Sequence, residues 1–309
     1  MKKALYFAAG AAAATLGVSL AVYLKAFYNK NAADVTYDVL TGEDYDPYHD
    51  KMISLIDEAN AIPYEAVYTE SYDGLKLFGR LYMQKEDAPL YIQFNGYRGN
   101  GIRDFSGGLK LALSYGHNVI VVDQRAHGRS EGHTITFGVK ERRDVLSWVD
   151  YAIKRFGKDV RICIAGISMG AATVLMASDL PLPENVRGIV ADSPYSSPFG
   201  IVAKVAKEMT HIDYVTYPFI YLGARLFGRF DILSSSALKS VKNAKVPIFI
   251  AHGTGDHFVP VEMSRAIKEA NPDKVTLFEV EGAPHGLSFV KDYDAYKREF
   301  TRFIEKISM

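Results

Sequence analysis

VRICIAGISMGAATVLMASD, residues 160–179, decides how this chain is read. It opens on an apolar run, Ile162-Cys163-Ile164-Ala165. It turns through Gly166-Ile167-Ser168-Met169-Gly170 and continues into a small-residue helical pattern over 171–176. Strand, sharp turn and helix with G-x-S-x-G at the turn is the context in which that pattern marks a nucleophile elbow. The residue types follow from the geometry. The serine must sit in strained backbone so that its Oγ stands clear of the sheet, and Gly166 and Gly170 remove the Cβ atoms that would hold strand and helix apart. The helix N-terminus then turns free N–H groups toward a developing oxyanion. The competing reading is a glycine-rich strand-to-helix turn with a surface serine, and the rest of the chain decides between them.

On both sides of this unit, short apolar runs alternate with helical patterns. Residues 66–71 and 75–83, joined by Tyr72-Asp73-Gly74, predict a hairpin. Buried strands are expected at 90–94, 118–123, 186–191, 246–251 and 275–280. Helices are expected at 48–59, 105–115, 139–156, 260–271 and 292–308. The alternation predicts an α/β fold with a mostly parallel central sheet and helices on both faces. Residues 196–241 break it: helical patterns at 199–209 and 214–227 predict a helical cap over the carboxyl ends of the strands, where open α/β sheets bind ligands.

Composition sets the outer bounds. In 309 residues there are 36 Lys+Arg against 36 Asp+Glu, so nothing electrostatic argues for a nucleic acid partner. The one cysteine, Cys163, excludes an intramolecular disulfide and reads as a small core residue. Residues 4–24 carry no charge and follow Lys2 and Lys3. A bilayer span needs about 20 apolar residues, and Val22-Tyr23-Leu24 is a poor signal-peptidase site. The expectation is an uncleaved single-pass anchor within residues 1–30, at the cell membrane, with a slight charge bias that places the catalytic domain outside the cytoplasm. A polar tether and an edge helix are expected over 31–63, and the main domain over 64–309.

A nucleophilic serine needs a base, and the base needs an orienting carboxylate. The elbow goes with the chain order Ser, acid, His. Asp256 follows a predicted strand in a Gly-rich loop, and His285 follows the last strand between Pro284 and Gly286. Both project onto the sheet edge that carries Ser168. His257, adjacent to the acid, would point away from it. His252 reads as structural, and His127 reads as a brace between loops. Two backbone donors complete an oxyanion hole: Met169, which follows the nucleophile, and Tyr97, in the loop after residues 90–94. Asn95 and Arg98 could shape the same loop, but a structural turn is the expected role of their side chains.

Asn95-Gly96-Tyr97, Asp123-Gln124-Arg125-Ala126-His127-Gly128-Arg129-Ser130, the elbow, Asp192-Ser193-Pro194-Tyr195, His252-Gly253-Thr254-Gly255-Asp256 and Pro284-His285-Gly286 together resemble the α/β-hydrolase superfamily. The likeness runs from about Tyr64 to the C-terminus. Within that superfamily the chain is similar to membrane-tethered bacterial serine hydrolases of the serine-aminopeptidase-like group. Where many of those relatives carry His-Gly, this chain has Asn95-Gly96, which keeps the backbone donor. The resemblance implies the α/β-hydrolase fold and acyl transfer to water without metal or organic cofactor. The expected function is a serine hydrolase cleaving carboxylic esters of small or medium apolar acyl groups. Tyr214, Tyr217, Phe219, Tyr221 and Phe227 of the cap would suit such a group. A peptidase or acyl thioesterase on the same triad, and a non-catalytic surface binding protein, are the alternatives.

Overall fold

The computed structural model describes residues 2–30, 39 and 41–309. Residues 31–38 and 40 of the tether and edge-helix segment expected over 31–63 therefore lie outside the described residues. Eight strands form one sheet: β1 (Glu65–Glu70), β2 (Lys76–Tyr82), β3 (Leu90–Phe94), β4 (Asn118–Asp123), β5 (Ile162–Ile167), β6 (Val186–Asp192), β7 (Ile248–Gly253) and β8 (Val275–Val280). Their order across the sheet is β1-β2-β4-β3-β5-β6-β7-β8. The β1-β2 hairpin is antiparallel and β2 runs antiparallel to β4, while the other pairs are parallel.

Strand period 2 sorts the core. On β3, β4 and β5, Ile92, Ile120 and Ile164 face one side, where they meet Val145, Trp148 and Val149 of α4 (Glu141–Phe156) and Val174 of α5 (Met169–Met176). Tyr91, Val121 and Cys163 face the other side. There they meet Ile102, Phe105 and Leu109 of α3 (Gly101–Ser114) and Phe300, Phe303 and Ile304 of the C-terminal helix Tyr293–Lys306. Cys163 is fully buried, and burial pushes its thiol above the usual range.

Element bounds move where a specific residue moves them. The helix expected from 105 begins at Gly101, because the Asn100 side chain accepts from Arg103 N at 2.9 Å and caps the first turn. The strand expected from 246 begins at Ile248, since Pro247 has no N–H for the ladder. Residues 196–241 fold as α6 (Pro198–Thr210), α7 (Tyr217–Leu222), a π-helical turn Gly223–Phe227, and α8 (Ala237–Val241). Ahead of the sheet, α2 (His49–Asn60) packs on α3.

The N-terminal helix α1 (Lys2–Val22) runs into a π-helical turn, Tyr23–Phe27. Together they are long and apolar enough to cross a membrane. The far end is not loose. Phe27 is fully buried, edge-on to Phe137 and Phe230 at 5.8 and 5.3 Å between ring centres. Phe27 O accepts from Ile135 N at 2.7 Å, and Asn29 N donates to His133 O at 2.8 Å. The helix thus ends as part of the domain core, beside the cap.

Candidate active site

Ser168 joins β5 to α5 with φ 53° and ψ −114°, left-handed backbone that a non-glycine residue adopts at a cost of order 1–3 kcal/mol. The neighbours fix it there. A Cβ on Gly170 would overlap the Phe94 carbonyl, and one on Gly166 would overlap the backbone of Gly170. Ser168 N donates to Asp192 O at 2.8 Å. The serine is thereby lifted off the carboxyl end of the sheet with Oγ exposed to a cavity of about 560 Å³.

His285 meets it. Ser168 Oγ–H donates to His285 Nε2 at 2.9 Å, and His285 Nδ1–H donates to Asp256 Oδ2 at 2.6 Å. The structure brings the three sequence-predicted residues together from β5, the loop after β7 and the loop after β8. Asp256 has more partners than a single histidine. Its Oδ1 accepts from Phe258 N at 3.0 Å and Val259 N at 2.7 Å. Its Oδ2 also faces His252 Nε2 at 3.1 Å. That nitrogen shares its proton with Val259 O at 2.8 Å, while Ser264 Oγ–H donates to His252 Nδ1 at 2.6 Å. Burial acts to raise the Asp256 carboxyl, but the bonds from His252 and His285 outweigh it and hold the group down at about 2. Asp192, at the end of β6, shows the opposite balance: burial pushes its carboxyl up to about 6 against a single hydroxyl donor, Ser193. Of two carboxyls near this edge, the one facing His285 is the one held below its ordinary range.

The loop Asn95–Gly99 runs against the serine. A Cβ on Gly96 would sit 3.5 Å from Ser168 Cβ. Neither Tyr97 N nor Met169 N donates a hydrogen bond among the described residues, which leaves both amides open beside Ser168. The loop is held from several directions. Asp104 Oδ2 accepts from Gly96 N at 2.7 Å, and Asn95 Oδ1 accepts from Gln124 N at 2.9 Å. Arg98 is left-handed, with φ 51°, and its N–H donates to His127 Nε2 at 3.0 Å. His127 Nδ1–H in turn donates to Arg125 O at 2.8 Å, and burial pushes its imidazole below the usual range. His127 is a brace, as expected. His257 contributes to the cavity wall and has no bond to the acid.

The last clamp was not legible in the sequence: it is the end of the N-terminal helix. Arg98 Nη2 donates to Lys25 O at 2.8 Å and Tyr28 O at 3.0 Å, and Tyr97 O–H donates to Ala26 O at 3.0 Å. These carbonyls have no helical partners and lie at the negative end of the helix dipole, so a guanidinium there is well placed. No residue pattern links Arg98 to Lys25 across 73 positions, so only the fold reveals the pairing.

The cavity walls also differ from expectation. Glu208 is the sole residue of 196–241 among those lining it. The apolar wall comes from Val39, Met52, Ile167, Phe258, Pro284 and Leu287, and Tyr45 and Asp44 close it from the segment ahead of α2. The five cap aromatics do not line it; Tyr217 and Phe227, for example, pack on Phe199 and Tyr23. Among the described residues, no group of three or more His, Cys, Asp or Glu is gathered for a metal ion.

Comparison with known proteins agrees with this architecture. A family model described as the α/β hydrolase fold matches residues 96–207. The Bacillus subtilis (strain 168) protein YqkD is 23% identical over 201 residues, 65% of this chain and 66% of that protein, just under two thirds of its length. A structure of the Pyrococcus furiosus esterase Pf2001 is 24% identical with TM-score 0.66, covering 81% of this chain and 93% of that one. The Pyrococcus horikoshii acylaminoacyl peptidase is 18% identical with TM-score 0.58, covering 78% of this chain and 41% of that one. The strand order, the turn at Ser168 and the matched residues 96–207 together show the α/β-hydrolase fold.

Proposed function

We propose that this protein is a membrane-anchored serine hydrolase that cleaves carboxylic esters through Ser168, His285 and Asp256. The observation that carries the reading is the unbroken line Ser168 Oγ, His285 Nε2, His285 Nδ1, Asp256 Oδ2, with spacings of 2.9 and 2.6 Å. His285 takes the Ser168 proton as Oγ attacks the ester carbonyl. Met169 N–H and Tyr97 N–H stabilise the oxyanion. The tetrahedral intermediate collapses, the C–O bond breaks, and the alcohol leaves with the proton from His285. Water then gives a proton to His285 and attacks the acyl-enzyme, and collapse returns that proton to Ser168 and releases the acid. The apolar wall of Val39, Met52, Phe258 and Leu287 supports a small or medium apolar acyl group. The domain division at residues 30 and 64 and the outward orientation of the catalytic part belong to the same reading.

A panel of p-nitrophenyl esters, acyl thioesters and aminoacyl amides tests it. Esters of short and medium chain are expected to turn over fastest. Turnover of amides without esters favours the peptidase alternative, and thioester preference favours the thioesterase.

The clamp on the oxyanion loop gives a second expectation. Arg98 touches no reacting atom; it positions Tyr97. Arg98→Ala is expected to lower kcat about tenfold, less than the loss of a whole oxyanion donor, with KM and melting temperature little changed. Arg98→Lys, which restores one cationic donor, should recover part of the rate. A fall in melting temperature with kcat intact would reduce Arg98 to a scaffold role.

A further inference from the structure

The cap has a second face, away from the cavity. Between α6 and α7 the chain exposes Met209 at 59%, Ile212 at 48%, Tyr214 at 72% and Val215 at 63%. Four large apolar side chains within seven residues is more than a scatter of single exposed hydrophobics. Their surroundings indicate what covers them. α7 lies along α1, whereas the Gly223–Phe227 turn touches both α1 and the Tyr23–Phe27 turn that follows it. Gly223 lies against Ser19, where a Cβ would sit 2.8 Å from the Ser19 carbonyl oxygen, and the Phe227 ring lies 6.1 Å from that of Tyr23. The two segments therefore run side by side in the same direction. Residues 209–216, which precede α7, lie further toward the N-terminal, apolar part of α1.

Both strips change character at the same level. α1 is apolar through Leu24 and then reaches Lys25; the cap exposes Met209, Ile212, Tyr214 and Val215 around His211 and an Asp213 paired to Lys207 at 2.6 Å, continues through the apolar α7, and then reaches the exposed Arg225 and Arg229. Apolar surface on one side and basic residues on the other is the pattern of a surface seated at a membrane interface. The same loop borders the catalytic cavity. Glu208, next to Met209, lines it, and Lys204 on the same helix donates to the carbonyl of His257, another lining residue, at 3.1 Å.

We propose that residues 209–226 dock on the bilayer beside α1, and that the cavity mouth takes its substrate, an amphiphilic carboxylic ester, from the membrane surface. The docking stands on the geometry of α1 and the cap; the substrate class rests on the hydrolase reading above.

The test uses the full-length protein in phosphatidylcholine vesicles. Trp148, the one native tryptophan, is fully buried in the domain and supplies the reference emission. Tyr214→Trp is expected to add a blue-shifted emission of which about half or more is quenched by brominated lipid, with the wild type unaffected. Ile212→Asp with Val215→Asp should leave a short, water-soluble ester unchanged and slow a long-chain monoacyl ester carried in the same vesicles about tenfold. These residues are exposed, so the melting temperature is expected to hold, and the single Val215→Asp variant repeats the measurement if it does not. Absence of quenching overturns the docking, as does protection that depends on protein concentration and not on lipid, the sign of a second copy. Equal slowing of both esters overturns the membrane route for the substrate. Quenching with no ester cleaved by the wild type leaves the docking standing and removes the hydrolase reading.

Discussion

Ser168→Ala is expected to reduce ester turnover by about five to six orders of magnitude while leaving the fold intact. The size follows from the role. The proposed oxyanion donors Met169 N and Tyr97 N and the cavity survive the change, so the residual rate is that of positioned water without a covalent intermediate. The fold is expected to persist because Oγ makes one hydrogen bond, to His285 at 2.9 Å, and because the backbone bond from Ser168 N to Asp192 O at 2.8 Å does not depend on the side chain. The left-handed backbone at residue 168, φ 53°, is as strained for alanine as for serine. Steady-state kinetics on p-nitrophenyl esters with a parallel thermal melt separates the two effects. Residual activity within tenfold of wild type would place the chemistry elsewhere.

Asp256→Asn is expected to lower kcat about ten-thousandfold, for a reason specific to this site. Asp256 accepts from four N–H groups: His285 Nδ1, His252 Nε2, Phe258 N and Val259 N. A carboxylate has acceptor capacity on both oxygens, whereas an amide turns donors toward half of them. If the amide nitrogen faces Phe258 and Val259, two pairs of donors oppose one another and the loop after β7 is disturbed. If it faces the histidines, His285 must accept at Nδ1 and carry its proton on Nε2, where it can no longer receive the Ser168 proton. The second arrangement removes the base, and the first displaces the loop that orients it. The acid limb of stability changes with it. Asp256 is held at about 2, below its ordinary 3.8, so its contribution is complete above 3.8 and is lost as pH falls toward 2. The wild-type melting midpoint should therefore fall more steeply with acid than that of Asp256→Asn. A loss of activity below tenfold, or an unchanged acid limb, would remove Asp256 from this role.

The parts that were legible in the sequence are those with local causes. The strands β3, β4 and β8 have the bounds their apolar runs predict, and the elbow follows from two glycines whose Cβ atoms would collide with neighbouring backbone. Ser168, Asp256 and His285 could be chosen by chain order and strand ends, because the topology of a parallel sheet gathers loops that follow strands onto one edge. What could not be read depends on tertiary meetings between distant segments. His252 was read as structural, and its ring does rest on Ser264; its second contact, with Asp256, appears only once the loop after β7 closes. The cap was read as the roof of the cavity because aromatic residues at helical spacing suit either a ligand or a packing partner. In the structure α7 packs on α1, and Val39, Asp44 and Tyr45 ahead of α2, with Met52 of α2, take the place beside Ser168. The anchor was read as a separate element because apolar composition reports membrane affinity and says nothing of its last turn. Phe27 belongs instead to the domain core, and the carbonyls of Lys25, Ala26 and Tyr28 hold Tyr97 and Arg98 of the Asn95–Gly99 loop.

The most direct test of the central claim is intact-protein mass spectrometry after treatment of the full-length chain with a fluorophosphonate, followed by peptide mapping. The expected result is one covalent adduct per chain, on Ser168, absent from Ser168→Ala and strongly slowed in Asp256→Asn. A wild-type protein that remains unlabelled, or an adduct mapped to any other residue, would contradict it.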